Sequence, residues 1–330
     1  MSYNQYKRIL VIQTAFIGDA ILASSVAEKL HHHFPEAEIS MLVRNGNEHL
    51  YANHPFLKQT LVWNKKEHKL RNLFSLLGFI RKQKFDLVVN CHRHASSGIL
   101  SGFSGASHIT GYKQNPFSFL FNVTVKHVIG NGSHEVDRYN QLIEDMTGRE
   151  VFKPRLYPST ADMDHVQSYK TEKYVCMAPS SVWFTKQLPQ EKWIELCNQL
   201  GNTRIYLLGA PSDQKLCETI LNSSSNKNIR SLAGKLSLLQ SCALMKDAAM
   251  NYVNDSAPLH LASSVNAPVT AFFCSTVPAF GFTPLSDDSR IVETHEPLDC
   301  RPCGLHGFKQ CPKGHFKCGH TISLTDVGQI

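Results

Sequence analysis

The sequence predicts an α/β protein of two doubly wound halves, and three observations carry that prediction. Short, continuously apolar runs alternate with stretches of helical periodicity, which is how parallel strands covered on both faces by crossover helices read. The alternation breaks off once, over residues 147–172, where no period is sustained and Pro154 and Pro158 interrupt the chain, and then resumes. The 330 residues are enough for two domains of ordinary size, each with its own core. Residues 1–160 and 161–330 are the expected domains, facing a cleft outside the carboxyl ends of their strands.

The first half opens with residues 8–13 (RILVIQ), a strand buried on both faces. A turn over 14–19 leads into a helix over 20–34, with Ile21, Leu22, Ser25, Val26, Lys29 and Leu30 in helical register. His31, His32 and His33 end it and read as a solvated helix terminus, where cations suit the helix dipole. Strands follow over 39–43 and 60–63. Leu70, Leu73, Phe74, Leu77 and Ile80 then share one helical face, and 85–90 (FDLVVN) is another buried strand. After the linker, 174–178 (YVCMA) starts a second series, continued by strands over 205–209, 250–253 and 269–273. The helices between them are placed at 190–200, 213–221, 238–248 and 256–265.

Composition narrows function before any motif is read. Apolar residues make up 42% and charged residues 18%, the balance of a folded chain with a core. The net charge of +7, from 34 Lys and Arg against 27 Asp and Glu, suits an acidic substrate or an anionic membrane surface. It is too weak to argue for nucleic acid. No apolar run approaches the roughly 18 residues of a membrane span. The polar amino terminus runs straight into a strand, so no secretory signal is expected. Cys91, Cys176, Cys197, Cys217, Cys242 and Cys274 stand singly in apolar or helical contexts, as reduced core residues of a cytoplasmic protein do.

Chemistry is to be sought in the strand-to-helix turns. The first, Thr14-Ala15-Phe16-Ile17-Gly18-Asp19, lacks the glycine spacing of a dinucleotide loop and the Lys-Ser/Thr of a P-loop. Asp19 reads either as a helix N-cap or as a carboxylate presented as a general base, with Gly18 allowing close approach to the backbone. In the second half, Pro179-Ser180-Ser181-Val182-Trp183-Phe184-Thr185-Lys186 places two hydroxyls and a lysine after a strand, which suits a phosphate. A surface loop is the alternative. Asn254-Asp255-Ser256-Ala257-Pro258-Leu259-His260 offers the Ser256 and Ala257 amides at a helix start, with the Asp255 carboxylate beside them for sugar hydroxyls. His260 fits either a buried core position or a ligand contact.

These pieces together, Gly18-Asp19, Pro179-Ser180-Ser181 with Thr185-Lys186 and Lys192-Trp193, and Asn254-Asp255-Ser256 with His260-Leu261-Ala262, resemble the lipopolysaccharide heptosyltransferases, glycosyltransferase family 9. The tail Cys300-Arg301-Pro302-Cys303, Cys311-Pro312, Gly314-His315 and Cys318 is similar to that of the heptosyltransferase II members. The resemblance implies a GT-B architecture of two Rossmann-like domains, with the acceptor on the first and an ADP-sugar on the second. It implies an inverting, metal-independent transfer of heptose from ADP-heptose to a lipopolysaccharide core precursor. By the same resemblance Asp19 is the general base and Lys186 contacts the donor phosphates. Ser180, Ser181, Asp255, Ser256, Ala257 and His260 form the donor turns, Asp213 holds the ribose, and Leu236 touches the adenine. No cofactor and no nucleic acid are expected. Such an enzyme is expected in the cytoplasm, at the inner face of the inner membrane.

Several alternatives stay open from the residues. Cys300, Cys303, Cys311 and Cys318, with His306, His315 and His320 nearby, allow a zinc site, although the second pair is spaced too widely for the common pattern. Such a site, with the basic tail, would fit a nucleic-acid-binding module. Asp162-Met163-Asp164, the one Asp-x-Asp, falls in the linker and is a poor metal site. The helix around Leu70–Ile80, flanked by Lys65, Lys66, Lys69, Arg71, Arg81, Lys82 and Lys84, reads as a solvated helix packed on the sheet or as a contact with an anionic leaflet. A sugar-nucleotide epimerase, or a transferase of the same architecture with another nucleotide sugar, is the alternative activity.

Overall fold

The computed structural model describes residues 6–65, 68–325, 327 and 328. The polar residues 1–5 and Lys66 of the basic flank therefore lie outside the described residues. The chain divides into two compact units. One comprises the described residues up to Ile129 together with Ser133–Tyr157; the other comprises Gly130–Gly132 and the described residues from Pro158 on.

The first unit runs β1 (Arg8–Ile12), α1 (Ile17–His33), β2 (Glu38–Arg44), β3 (Leu57–Trp63), α2 (Lys69–Gln83), β4 (Leu87–Asn90), α3 (Ala95–Gly102), β5 (His108–Tyr112), β6 (Val123–Val125), α4 (Glu135–Gln141) and α5 (Glu144–Thr147). Its six strands pair parallel in the order β3-β2-β1-β4-β5-β6. Leu10, Ile12, Leu42, Val88 and Ile109 of the sheet pack with Leu73 and Ile80 of α2 and Leu100 of α3, all buried.

The second unit runs α6 (Thr160–Val166), β7 (Tyr174–Ala178), α7 (Gln190–Gln199), β8 (Arg204–Leu207), α8 (Gln214–Ser223), β9 (Ile229–Ser231), α9 (Leu238–Lys246), β10 (Met250–Asn254), α10 (Ala257–Ser264), β11 (Val269–Phe273), β12 (Ser289–Glu293) and α11 (Lys317–His320). The strand order is β12-β11-β10-β7-β8-β9, again all parallel. Both sheets thus start in the middle, grow outward to one edge, and return to grow to the other. The strand order reverses between β1 and β4 in one and between β7 and β10 in the other. Crossover loops leave those two pairs in opposite directions, which opens a crevice at their carboxyl ends.

Several sequence expectations need correction. The stretch read as linker is partly helical: α6 starts at a capping box in which the Ser159 hydroxyl accepts from the Asp162 amide and the Asp162 carboxylate accepts from the Ser159 amide. Asp162 is therefore a helix cap. The first helix begins three residues earlier than expected, with Phe16 at the N-cap, so Asp19 is the third residue of its first turn and not the cap. The helix around Leu70–Ile80 buries only Leu73 and Ile80, and leaves Leu70 and Phe74 of the expected apolar face exposed. The basic, cysteine-bearing tail also builds the core: Phe316, Cys318, Ile322 and Leu324 sit in the second unit's core.

Candidate active site

At the reversal point of the second sheet, three turns converge behind one buried amide. Asn254, the last residue of β10, is wholly buried. Its Oδ1 accepts from the Leu188 amide at 2.8 Å, and its Nδ2 donates to the Pro179 carbonyl at 2.9 Å. One side chain thereby fastens both ends of the loop after β7 to the end of β10. The loop can then be irregular and still hold Lys186 in one place. The Lys186 ammonium meets Asp255 Oδ2 at 2.7 Å, with side chains only 15% and 5% exposed. Thr276, just past β11, donates its hydroxyl to the same Oδ2 at 2.6 Å.

A second pair stands one strand over. Ser180 donates to Asp213 Oδ2 at 2.8 Å, and the Ala210 amide donates to that oxygen at 2.7 Å. A side chain on Gly209 would sit 2.9 Å from the Asp213 Cβ, so glycine is what lets this acid fold back on its own turn. Leu236 is half-buried between Gly234 and Ser237, the N-cap of α9. Ser181 is half-buried, and its carbonyl accepts from Gln187. Ser256 is the N-cap of α10 without a side-chain capping bond, and Ala257 is its first residue, so both backbone amides stand at the helix's positive end. His260 is buried, edge-on to Phe282.

In the first unit the turn after β1 is set by Gln13. Its amide nitrogen donates to the Cys91 carbonyl and to the Tyr139 hydroxyl at 2.7 Å, and its oxygen accepts from the Ala15 amide. Asp19 is half-buried two residues into α1, just after Gly18, where the helix N-terminus favours a negative charge. Burial pushes the Tyr139 phenol up, and the Glu135 and Asp19 carboxylates add to that. Cations rim this turn. Lys65 donates to the Thr14 carbonyl at 2.6 Å, and Arg44 lies over the Phe16 ring at 4.9 Å. Burial, then repulsion from Arg44 and Lys69, pushes Lys65 down to about 8. His92 stands 3.2 Å from the Thr14 hydroxyl and is pushed down to about 3, by burial first and then by His94, Lys65 and Arg93.

A family model described as glycosyltransferase family 9 (heptosyltransferase) matches residues 73–305, most of the chain and both units. This chain belongs to glycosyltransferase family 9. Lipopolysaccharide heptosyltransferase 2 of Escherichia coli is 23% identical over 342 residues, covering 97% of this chain and 94% of that protein. The solved structure of E. coli ADP-heptose LPS heptosyltransferase II superposes with a TM-score of 0.75 at 22% identity, over 90% of this chain and 95% of that one. E. coli heptosyltransferase WaaC, solved with ADP-2-deoxy-2-fluoro heptose, superposes at 0.69 and 18% identity, over 87% and 93%. At these identities the structures speak for the fold alone, the GT-B architecture.

In this glycosyltransferase the charged residues expected in the second unit's turns are held by partners that the sequence does not mark. The sequence offers Lys186 and Asp255 as separate contacts; they are one ion pair. Ser180 and Asp213 likewise share a hydrogen bond. Thr276 and His92 carry no motif in the sequence, Asn254 stands there only as the start of a donor turn, and Lys65 only as part of a basic flank. Their signal is positional: each lies within three residues of a carboxyl strand end. In the tail, Cys300 Sγ is 3.9 Å from His315 Nε2, and burial pushes the Cys318 thiol up to about 11, with Cys303, Cys311 and Cys300 adding to it against Arg301. Among the described residues no three His, Cys, Asp or Glu side chains stand together as a metal site, so the zinc reading has no assembled ligand set to rest on.

Proposed function

We propose that this family 9 transferase moves a heptose from ADP-heptose to the inner core of a lipopolysaccharide precursor by inverting single displacement. The observation that carries the proposal is the Lys186–Asp255 pair at the reversal point of the second sheet, beside the N-terminus of α10. A diphosphate placed there meets an ammonium group, the hydroxyls of Ser180 and Ser181, and the amides of Ser256 and Ala257. These donors offset the charge that grows on ADP as the anomeric bond breaks. Asp213 is assigned to the ribose, Leu236 to the adenine, and Asp255 to donor sugar hydroxyls, with His260 in the same donor turn as Asp255. Asp19 takes the proton of the acceptor hydroxyl as that oxygen attacks the anomeric carbon. The solved WaaC holds ADP-2-deoxy-2-fluoro heptose, and the solved heptosyltransferase II is named for ADP-heptose; both support this donor.

Lys65 and Arg44 favour an acceptor that carries anionic groups near the attacking hydroxyl. Burial disfavours the Lys65 cation, so its proton is lost as pH climbs past about 8. The acceptor KM is therefore expected to rise above that pH in wild type and to stay level in Lys65→Gln, read from initial rates at saturating donor. The family match is to transferases and lends the epimerase alternative no support. Release of ADP from ADP-heptose tests the choice: it should need a core acceptor. Conversion of the donor without acceptor would favour the epimerase.

Peripheral work at the cytoplasmic face of the inner membrane is part of the same proposal. No helix among the described residues is long and apolar enough to cross a membrane. On α2, Leu70, Phe74, Leu77 and Arg81 recur at helical spacing on one face, with Leu70 68% and Phe74 61% exposed. Arg81 donates to the Phe103 carbonyl, and the Phe103, Phe117 and Phe119 rings follow within 6.2 Å of one another in turn, with Phe119 77% exposed. Residues 68–85 carry Lys69, Arg71, Arg81, Lys82 and Lys84 and no acid. Apolar rings among cations fit an anionic bilayer surface, with about 1 kcal/mol per basic residue near it. Co-sedimentation with phosphatidylglycerol vesicles is expected for wild type and largely lost in Phe74→Ser with Arg71→Gln. Turnover of a short, lipid-free acceptor should not change. Equal binding to neutral phosphatidylcholine vesicles would remove the charge argument.

A further inference from the structure

We propose that the cysteine-rich tail places the donor lysine, with Arg301 and Thr276 as positioning residues that act on Lys186 through Asp255. The inference rests on the donor reading of Lys186. An ammonium on a four-carbon stem has no direction of its own, so its place is set by what it is bound to. Here that is Asp255 Oδ2, which also accepts from the Thr276 hydroxyl. Thr276 is buried, and its backbone in turn hangs on Arg301. The Arg301 guanidinium donates to the carbonyls of Cys274 at 2.7 Å, Thr276 at 2.8 Å and Phe273 at 3.2 Å, and it pairs with Glu293 of β12. Those carbonyls lie where the β11 ladder runs out. The planar, five-donor fork of an arginine spans them as a lysine could not.

The tail has a second hold, on the loop that carries Lys186 itself. The Cys303 amide donates to the Ser275 carbonyl at 2.8 Å. Phe308 exchanges bonds with buried Thr185: its amide donates to the Thr185 hydroxyl at 2.8 Å, and its carbonyl accepts from the Thr185 amide at 3.1 Å. Ser275 donates its hydroxyl to Thr185 Oγ1 at 3.0 Å and its amide to the Thr185 carbonyl at 3.2 Å. Gly307 makes this approach feasible. It has φ of +75°, and a side chain there would sit 2.8 Å from Thr185 Oγ1 and 3.1 Å from Lys186 Cγ. Residues 301–308 thus touch both the turn that holds Asp255 and the turn that bears Lys186. The cysteine thiols that drew attention in sequence take no part in this clamp; its polar contacts are made by Arg301, Thr276, Thr185, Ser275 and the backbone of Cys303 and Phe308.

The effect belongs on turnover more than on binding. A displaced ammonium still attracts a diphosphate, but it no longer meets the charge that develops on the leaving oxygen. Thr276→Val keeps the shape and removes the hydroxyl. Its kcat should fall about ten-fold or more, the scale of one hydrogen bond to a charged group, with the ADP dissociation constant within about three-fold of wild type. Thr276→Ser should restore kcat. In a Lys186→Ala background, Thr276→Val should add little, because the group it places is gone. Arg301→Lys is the second variant, expected to lower kcat in the same direction with ADP binding retained. Wild-type kcat in both Thr276→Val and Arg301→Lys, or a full ten-fold loss from Thr276→Val in the Lys186→Ala background, overturns the inference while the donor site stands. Wild-type ADP binding and turnover in Lys186→Ala would instead overturn the donor reading beneath it.

Discussion

Asp19→Asn is expected to lose turnover by roughly 10²–10⁴-fold, the range for removing a general base, while ADP binds as it does to wild type. The side chains have nearly the same shape, so the half-buried site in the first turn of α1 keeps its packing. What changes is basicity: an amide cannot take the acceptor's proton. The lost interaction of a negative charge with the helix N-terminus costs about 1 kcal/mol or less. A melting temperature close to wild type is therefore part of the expected result. Turnover within two-fold of wild type would leave Asp19 with a purely electrostatic place in the helix start, and the base would have to be sought elsewhere.

Asp255→Ala is expected to destabilise the second unit by roughly 3–5 kcal/mol, because it leaves the largely buried Lys186 ammonium without its carboxylate. In thermal denaturation that is a fall on the order of 10 °C for a unit of this size. ADP should raise the variant's melting temperature by more than it raises that of wild type, since the diphosphate supplies the anion that Lys186 has lost. Transfer of heptose should stay low even when ADP is bound, because the donor sugar has lost its carboxylate. An Asp255→Ala protein that melts with wild type and responds to ADP to the same degree would contradict the pairing as the organising feature of the site.

The parts of this fold that were legible in sequence are those whose signal is repetition. Tyr174–Ala178 and Val269–Phe273 are strands with the bounds that their largely apolar runs suggest. Strands such as Val123–Val125 and Ile229–Ser231 are three residues long and only half-buried at the sheet edges, so they carry no period to read. The helix α6 hides because it is one capping box and two turns long. For the site, charged residues after strands stand out in sequence because open α/β sheets gather their chemistry there. Pairing was not legible. Lys186 and Asp255 are 69 positions apart, and only the parallel register of β7 with β10 brings their turns together. In sequence Arg301 is one more basic residue of a basic tail; besides Glu293 its partners are backbone carbonyls, which leave no trace in side-chain patterning.

The exposed face of α2 shows the opposite failure. Leu70, Leu73, Phe74, Leu77 and Ile80 satisfy helical periodicity and so suggest a buried stripe. Leu73 and Ile80 alone are buried, and Leu70 and Phe74 point outward among cations. Periodicity reports that a face is apolar and is silent on what covers it.

The central claim is transfer of heptose from ADP-heptose to a lipopolysaccharide core acceptor. The most direct test is the intact mass of the acceptor after incubation with ADP-heptose, across a set of truncated core acceptors. The account predicts that one acceptor gains the mass of a single heptose, with one ADP released per heptose added and no gain in Asp19→Asn on the same time scale. Acceptors of unchanged mass throughout, with ADP-heptose consumed or epimerised in their absence, would contradict it.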